Sequence, residues 1–316
     1  MSASNDASAT KCGFVALVGA PNSGKSTLLN AQVGARVSIV TRKVQTTRSQ
    51  IRGIKVVGDT QIVFIDTPGI FAPRRRLDRA MVEAAWAGAR GSDVVVVIVD
   101  AAKSAGALGR GSDDEDTKRI IDGLAANREG ARSKIVLALN KIDRIGREPL
   151  LALAGQLNES GLFDKTFMIS ALKGDGLEDL LAYLVANAPA GVWHYEEDQL
   201  SDLPERMLAA EITREKAFES LHQELPYALA VETETWEEHG DGAVRIGQVL
   251  HIEKESQKGM VVGKGGRSIK RIREQAQAAL EDSLGRKVHL FIRVKVSPKW
   301  ADEPDRYREW GLNFDA

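Results

Sequence analysis

Gly19-Ala20-Pro21-Asn22-Ser23-Gly24-Lys25-Ser26-Thr27 carries the spacing G-x-x-x-x-G-K-[S/T], and its reading decides the fold of the first half of the chain. The aliphatic run before it, residues 14–19 (FVALVG), reads as a buried strand, and residues 26–33 read as a helix. A strand that turns through glycines into a helix makes an anion cradle. Backbone N–H groups converge there, and the helix N-terminus adds a positive dipole end. Lys25 is placed to reach β- and γ-phosphates, and the Ser26 hydroxyl to hold Mg²⁺.

Working outward, residues 51–57 and 61–66 read as two strands joined by a tight turn at Gly58-Asp59. Further strands are expected at 94–100, 135–140 and 166–170, with amphipathic helices at 77–91, 113–127, 148–160 and 176–188. Strands alternating with helices predict an α/β domain: a mostly parallel sheet with helices on both faces. Ligands of such a sheet bind at the carboxyl ends of its strands.

Three more motifs fall at those ends. Asp66-Thr67-Pro68-Gly69 follows a strand; Asp66 can hold Mg²⁺ through water, and the Gly69 and Ile70 backbone borders the γ-phosphate. Asn140-Lys141-Ile142-Asp143 follows the run IVLALN. Asp143 can accept from the ring N–H and the exocyclic amine of guanine, a donor pair that adenine lacks. Asn140 is expected to tie this loop to the phosphate loop. Ser170-Ala171 is expected to place a backbone N–H on guanine O6. In residues 41–48, Thr47, preferred over Thr46, is placed to complete the Mg²⁺ shell when a γ-phosphate is present. Ile70 stands where many signalling GTPases have a glutamine, so its side chain cannot orient the attacking water. Arg74-Arg75-Arg76 could bind RNA or ribosome phosphates or be plain solvated charge, and the latter is the preferred reading.

Residues 187–204 break the pattern with Pro189, Gly191, Pro204 and an acidic run. Helix 203–221, strands 227–236 and 243–253, helices 257–262 and 266–284, and strand 287–296 follow, in the order α-β-β-α-α-β. Gly263-Lys264-Gly265-Gly266 joins the two late helices. A G-x-x-G loop there lets backbone approach a sugar-phosphate chain and marks a type II KH domain. Lys264, Arg267, Lys270, Arg271 and Arg273 make a basic edge, while Ile269 and Ile272 read as core. Residues 251–300 hold 12 Lys/Arg against 5 Asp/Glu, so this module is net +7 and the remainder net −8. Nucleic acid is thus expected at one end only.

The 316 residues suggest two domains, and 43% hydrophobic with 28% charged residues excludes a mainly disordered chain. The longest aliphatic run, residues 94–99, is far short of the about 20 residues that span a membrane. Residues 1–11 read as a flexible tail without a signal peptide. Cys12 alone excludes an intramolecular disulfide and a cysteine zinc cluster. His194, His222, His239, His251 and His289 show no metal spacing, and the late tryptophans read as core or rim packing. These features point to the cytoplasm.

From about Cys12 to Trp310 the chain resembles the Era family of the TrmE-Era-EngA-like GTPase superfamily. The resemblance lies in GAPNSGKST, VTRKVQTTR, DTPG, NKID, ISA, EITREK followed by ELPY, VVGKGG and KVSPKWADEP. A single phosphate-loop motif excludes the related family with tandem GTPase domains. The resemblance implies a GTPase domain at 12–188, a linker at 189–203, a KH domain at 204–300 and a tail at 301–316. It also implies GTP and GDP as ligands, Mg²⁺ as cofactor, Lys25, Thr47 and Gly69 in catalysis, and a hydrophobic residue at Ile70. It implies binding of the 3′ end of 16S ribosomal RNA, a role in maturation of the small (30S) subunit, and a monomer. The implied location is cytoplasmic, with partial peripheral association with the inner membrane. Ser23 departs from the family, which more often has valine. Two other readings fit the motifs: an RNA-anchored nucleotide-binding module that recruits partners, and a membrane-associated cell-cycle or stress regulator.

Overall fold

The computed structural model describes residues 10–41, 47–108, 114–128, 132–221 and 225–316. The chain divides into two compact units. One comprises the described residues up to Ser38, 47–202 and 315–316; the other comprises Leu203–Phe314 with residues 39–41.

The first unit runs β1 (Lys11–Gly19), α1 (Lys25–Val33), β2 (Ile51–Val57), β3 (Thr60–Asp66), α2 (Arg76–Arg90), β4 (Val94–Asp100), α3 (Ala101–Leu108), α4 (Glu115–Ala126), β5 (Lys134–Asn140), α5 (Arg147–Asn158), β6 (Lys165–Met168) and α6 (Leu177–Asn187). The six strands form one sheet in the order β2-β3-β1-β4-β5-β6, parallel except for β2, which pairs antiparallel with β3. This is the α/β sheet read from the sequence. β4 is VVVVIVD, and its first six residues are at most 2% exposed. Covering both faces removes any need for alternation, and each buried valine contributes roughly 1.5–3 kcal/mol. The pairing Leu17↔Asp66 and Asp100↔Asn140 brings the ends of β1, β3, β4 and β5 to one edge of the sheet.

The structure departs from the sequence reading at four places in this unit. α3 follows β4 directly, where the pattern predicts no helix. β6 ends at Met168, so Ser170 belongs to the loop after it. Lys11 is the first residue of β1, not part of a tail: its N–H bonds Asp59 O (3.0 Å). Residues 189–202, expected as a linker, lie along the first unit. The Cys12 N–H donates to Pro189 O (3.1 Å), Gln61 Oε1 accepts from the N–H groups of His194 and Tyr195, and Ile54 N–H donates to Leu200 O (2.9 Å). Ser201 bridges antiparallel to Gly53, and Asp202 pairs with Arg52 (3.0 Å). This belt covers the otherwise open edge of β2.

The second unit has α7 (Glu205–Ser220), β7 (Leu229–Glu238), β8 (Val244–Ile252), α8 (Glu255–Val262), α9 (Arg267–Leu284), β9 (Val288–Val296) and α10 (Pro304–Glu309). Its sheet is β7-β8-β9, with β8 antiparallel to β7 and parallel to β9. Ile272, Ala276 and Leu280 recur every four residues on α9 and are fully buried, so one face of the helix joins the sheet's core. Residues 301–314, expected as a tail, are instead built in. Trp300 and Tyr307 are buried, and Arg306 binds Glu232 on β7 (3.0 Å). His251, between Ser297 Oγ (2.9 Å) and Glu232 (3.1 Å), has a structural role; burial and the nearby Arg306 lower its pKa.

Candidate functional site

The phosphate loop leaves β1 at Gly19 and enters α1 through Gly24, which takes φ +103° as the helix N-cap. A Cβ on Gly24 would lie 2.2 Å from Asn140 Nδ2, so only glycine fits there. Lys25 is buried, and its ammonium donates to Gly19 O (3.0 Å) and Ala20 O (2.9 Å). Burial lowers its pKa to about 8; Asp66 opposes this and Lys141 adds to it. Ser23 is buried beneath the loop, and its hydroxyl has no partner among the described residues.

Beside the loop, hydroxyls gather on Asp66 at the end of β3. Ser26 Oγ donates to Asp66 Oδ2 (2.7 Å), Ser38 Oγ donates to the same oxygen (2.8 Å), and Ser26 and Thr47 share a hydrogen bond (3.1 Å). Thr46 lies outside the described residues. Asp66 is fully buried, and burial raises its pKa against those hydrogen bonds and Lys25. Its Oδ1 has no partner among the described residues. A buried carboxylate with one unsatisfied oxygen among hydroxyls suits a hard, oxygen-seeking cation. The described residues hold no cluster of three His, Cys, Asp or Glu, so such a cation needs oxygens from a ligand as well.

The turn after β3 lies against the phosphate loop. Thr67 Oγ1 donates to Leu17 O (2.7 Å), and a Cβ on Gly69 would sit 2.9 Å from Pro21 N. Pro68, between them in the sequence, is buried. Ile70 N–H donates to Gly19 O (3.2 Å), while its side chain is fully buried in the core. Its apolar character therefore has a packing reason that the sequence did not reveal. Arg74, Arg75 and Arg76 are exposed at the start of α2, where Asp78 caps the Arg74 and Arg75 N–H groups (3.0 Å each).

At the other end of the loop, Asn140 joins three motifs with one amide. Its Nδ2 donates to Ser23 O (2.8 Å), and its Oδ1 accepts from Lys141 N (2.8 Å) and Ala171 N (3.0 Å). Ala171 N–H, expected for guanine O6, is thus engaged by Asn140. Lys141 reaches over to Asn22 O and to Asp100 Oδ2, each at 2.6 Å. Sequence reasoning missed Asp100 at the end of β4, although a carboxylate at that strand end was a signal for it. Ile142 N–H donates to Ile169 O (3.3 Å). Asp143 accepts from Ser170 Oγ (2.6 Å), a bond that lowers its pKa and keeps it ionised.

In the second unit, Gly263-Lys264-Gly265-Gly266 turns between α8 and α9 with all three glycines at positive φ. Lys264, Gly265, Arg267 and Lys270 are exposed. The basic edge is not uniform. Arg271 donates to Ser220 O at the end of α7 (3.0 Å), and Arg273 bonds Gln277 and Glu274.

Comparison with known proteins agrees with both units. A family of 50S ribosome-binding GTPases matches residues 14–141, and the KH domain matches residues 224–301. Proteins named GTPase Era from Brucella suis and Rhizobium meliloti are 52% and 55% identical to this chain, over 98% and 96% of it and 96% and 94% of their own length. The crystal structure of a point variant of Aquifex aeolicus Era bound to GDP·AlF4⁻ superimposes with a TM-score of 0.84 at 34% identity, over 96% of this chain and 99% of the other. A structure of Era with MgGDPNP and nucleotides 1506–1542 of 16S ribosomal RNA gives the same TM-score, identity and coverage.

Proposed function

The chain belongs to the Era family of GTPases, and from that premise we propose a GTP-driven switch that binds the 3′ end of 16S ribosomal RNA and acts in maturation of the 30S subunit. It is a GTPase, cleaving GTP to GDP and phosphate. The observation that carries the nucleotide reading is the Asn140 amide, which holds the phosphate loop, Lys141 and Ala171 in one frame. Lys25 leaves the loop carbonyls for the β- and γ-phosphates, and the loop N–H groups of residues 19–27 wrap them. Gly69 offers its N–H to the γ-phosphate. Ser26 and Thr47 would hold Mg²⁺ directly and Asp66 through water, and the chemistry it supplies is neutralisation of charge on the phosphates. Asp143 reads the guanine edge, with Lys141 and Ala171 bounding the base. Ile70 is in the core, so no side chain at this position orients water, and basal turnover is expected at on the order of 10⁻⁴ to 10⁻² s⁻¹.

A proton accompanies the nucleotide. Ligand-free Lys25 has its pKa lowered to about 8, and phosphates raise it. Below about pH 7 the amine is protonated with or without ligand, and affinity is flat. Above pH 8 affinity falls, toward about tenfold per pH unit. Calorimetry of GDP binding at pH 8, in buffers of different ionisation enthalpy, should find about half a proton taken up per nucleotide. No uptake would contradict the assignment of Lys25.

The second unit is the RNA anchor. Gly263, Lys264, Gly265 and Gly266 approach the sugar-phosphate chain, with Arg267, Lys270 and Arg271 alongside. Lys264→Asp with Gly265→Asp puts two carboxylates where phosphates lie. It should weaken binding of a 3′ small-subunit rRNA fragment by on the order of 100-fold in gel shifts and leave GTP affinity unchanged. Retained binding would move the RNA site elsewhere. Burial of Ile70 also favours the second reading, a recruiting module whose hydrolysis is incidental; turnover with and without RNA separates the two. Peripheral association with the inner membrane face and a monomeric state complete the proposal and rest on the family resemblance. No helix among the described residues is long and apolar enough to cross a membrane.

A further inference from the structure

We propose that Ser38 is a positioning residue of the metal site, acting through Asp66, and that Asn30 on α1 sets its hydroxyl there. The proposal rests on the Mg²⁺-nucleotide reading above. Ser38 is 1% exposed, and its Oγ donates to Asp66 Oδ2 at 2.8 Å. One amide fixes it. Asn30 Nδ2 donates to Ser38 O (2.7 Å), while Asn30 Oδ1 accepts from the N–H groups of Val37 (3.0 Å) and Ser38 (2.9 Å). Ser38 is therefore bound to the same helix that opens with Lys25 and Ser26.

The three hydroxyls around Asp66 are not equivalent. Ser26 and Thr47 are the groups with a second use for their oxygens, as direct ligands of a cation. When they turn to it, their hydrogen bonds to each other and to Asp66 are given up. Ser38 has no such competing role, so it remains the donor that holds Oδ2. A carboxylate held by one oxygen keeps its rotamer, and its Oδ1, without a partner among the described residues, is the oxygen that receives metal-bound water. Without Ser38, the buried carboxylate loses both a hydrogen bond and its orientation. Outer partners of this kind typically change metal affinity 10- to 100-fold.

The test is release of a fluorescent GDP from the full chain, followed across free Mg²⁺ concentrations and in EDTA. Ser38→Ala should raise the Mg²⁺ midpoint for slow release by roughly 10- to 100-fold and leave release in EDTA at the wild-type rate. Ser38→Thr keeps the hydroxyl and should restore the midpoint. Asn30→Ala frees Ser38 without deleting its hydroxyl and should shift the midpoint in the same direction. If the wild-type chain shows no Mg²⁺ dependence, the metal reading itself fails. If it does, and Ser38→Ala and Asn30→Ala leave the midpoint unchanged, Ser38 has no part in the metal site. Equal acceleration with and without Mg²⁺ would also overturn the proposal, because it would make Ser38 a loop-packing residue only.

Discussion

A chain carrying Lys25→Ala is expected to show no measurable binding of GTP or GDP while its RNA affinity stays at the level of the nucleotide-free wild-type chain. Lys25 is buried at the base of the phosphate loop, and its ammonium rests on two carbonyls of that loop, Gly19 and Ala20. In the proposed bound state its ammonium pairs with the β- and γ-phosphates. Truncating one partner of a buried, hydrogen-bonded charge pair costs about 2–5 kcal/mol or more, because the other charge is left without compensation. That corresponds to roughly one and a half to three and a half orders of magnitude in affinity, or more. Titration with a fluorescent GTP measures it, and unchanged affinity would remove Lys25 from the site. Unchanged RNA affinity in the same preparation shows that the second unit is intact.

Asp143→Asn is expected to change which base the protein accepts. Guanine presents two donors to a carboxylate; an amide offers one acceptor and one donor. Xanthine has a carbonyl where guanine has its amine, so the variant suits xanthosine triphosphate. Ser170 Oγ, now 2.6 Å from Asp143 Oδ1, can still donate to the amide oxygen, which leaves the NH₂ facing the base. Sites built on a hydrogen bond reject ligands lacking the partner by about 10⁴- to 10⁵-fold, so the preference for GTP over XTP should fall by that order. Competition binding of the two nucleotides decides the matter. A variant that keeps the wild-type ratio would show that Asp143 does not read guanine.

Legibility in the sequence followed the range of each interaction. The phosphate loop, DTPG and NKID are contiguous, and each follows a short apolar run, so pattern and motif together locate them at strand ends. The α-β-β-α-α-β order was likewise visible, because Gly240-Asp241-Gly242 and Gly263-Lys264-Gly265-Gly266 punctuate it. Ser38 was not legible: its partner lies 28 residues away, and nothing local distinguishes it from a loop serine. Asp100 needed the pairing of β4 with β5 to come within reach of Lys141. Ile70 looked like a missing catalytic group, whereas the fold uses it as core. Arg271 belongs by spacing to the basic edge, but a carbonyl at the end of α7 engages it. Residues 301–314 lack a strong period; long-range pairs such as Arg306 with Glu232 hold them.

The belt of residues 189–202 changes where the first unit hands its chain onward. α6 ends at the edge of the sheet remote from the phosphates, since Pro189 meets Cys12 and Gly191 meets Thr10 near the beginning of β1. From there the belt climbs beside β2, meeting Ile54, then Gly53, then Arg52. Arg52 pairs with Ile65, and the next pair, Ile51↔Asp66, holds the buried carboxylate. The belt thus carries the exit point across the height of a strand, about 20 Å for six steps of pleated chain. Departing at Asp202, the chain leaves the first unit beside β2, the partner of the strand that ends in Asp66, rather than from the far side of the sheet, so its point of exit shares a ladder with the buried carboxylate.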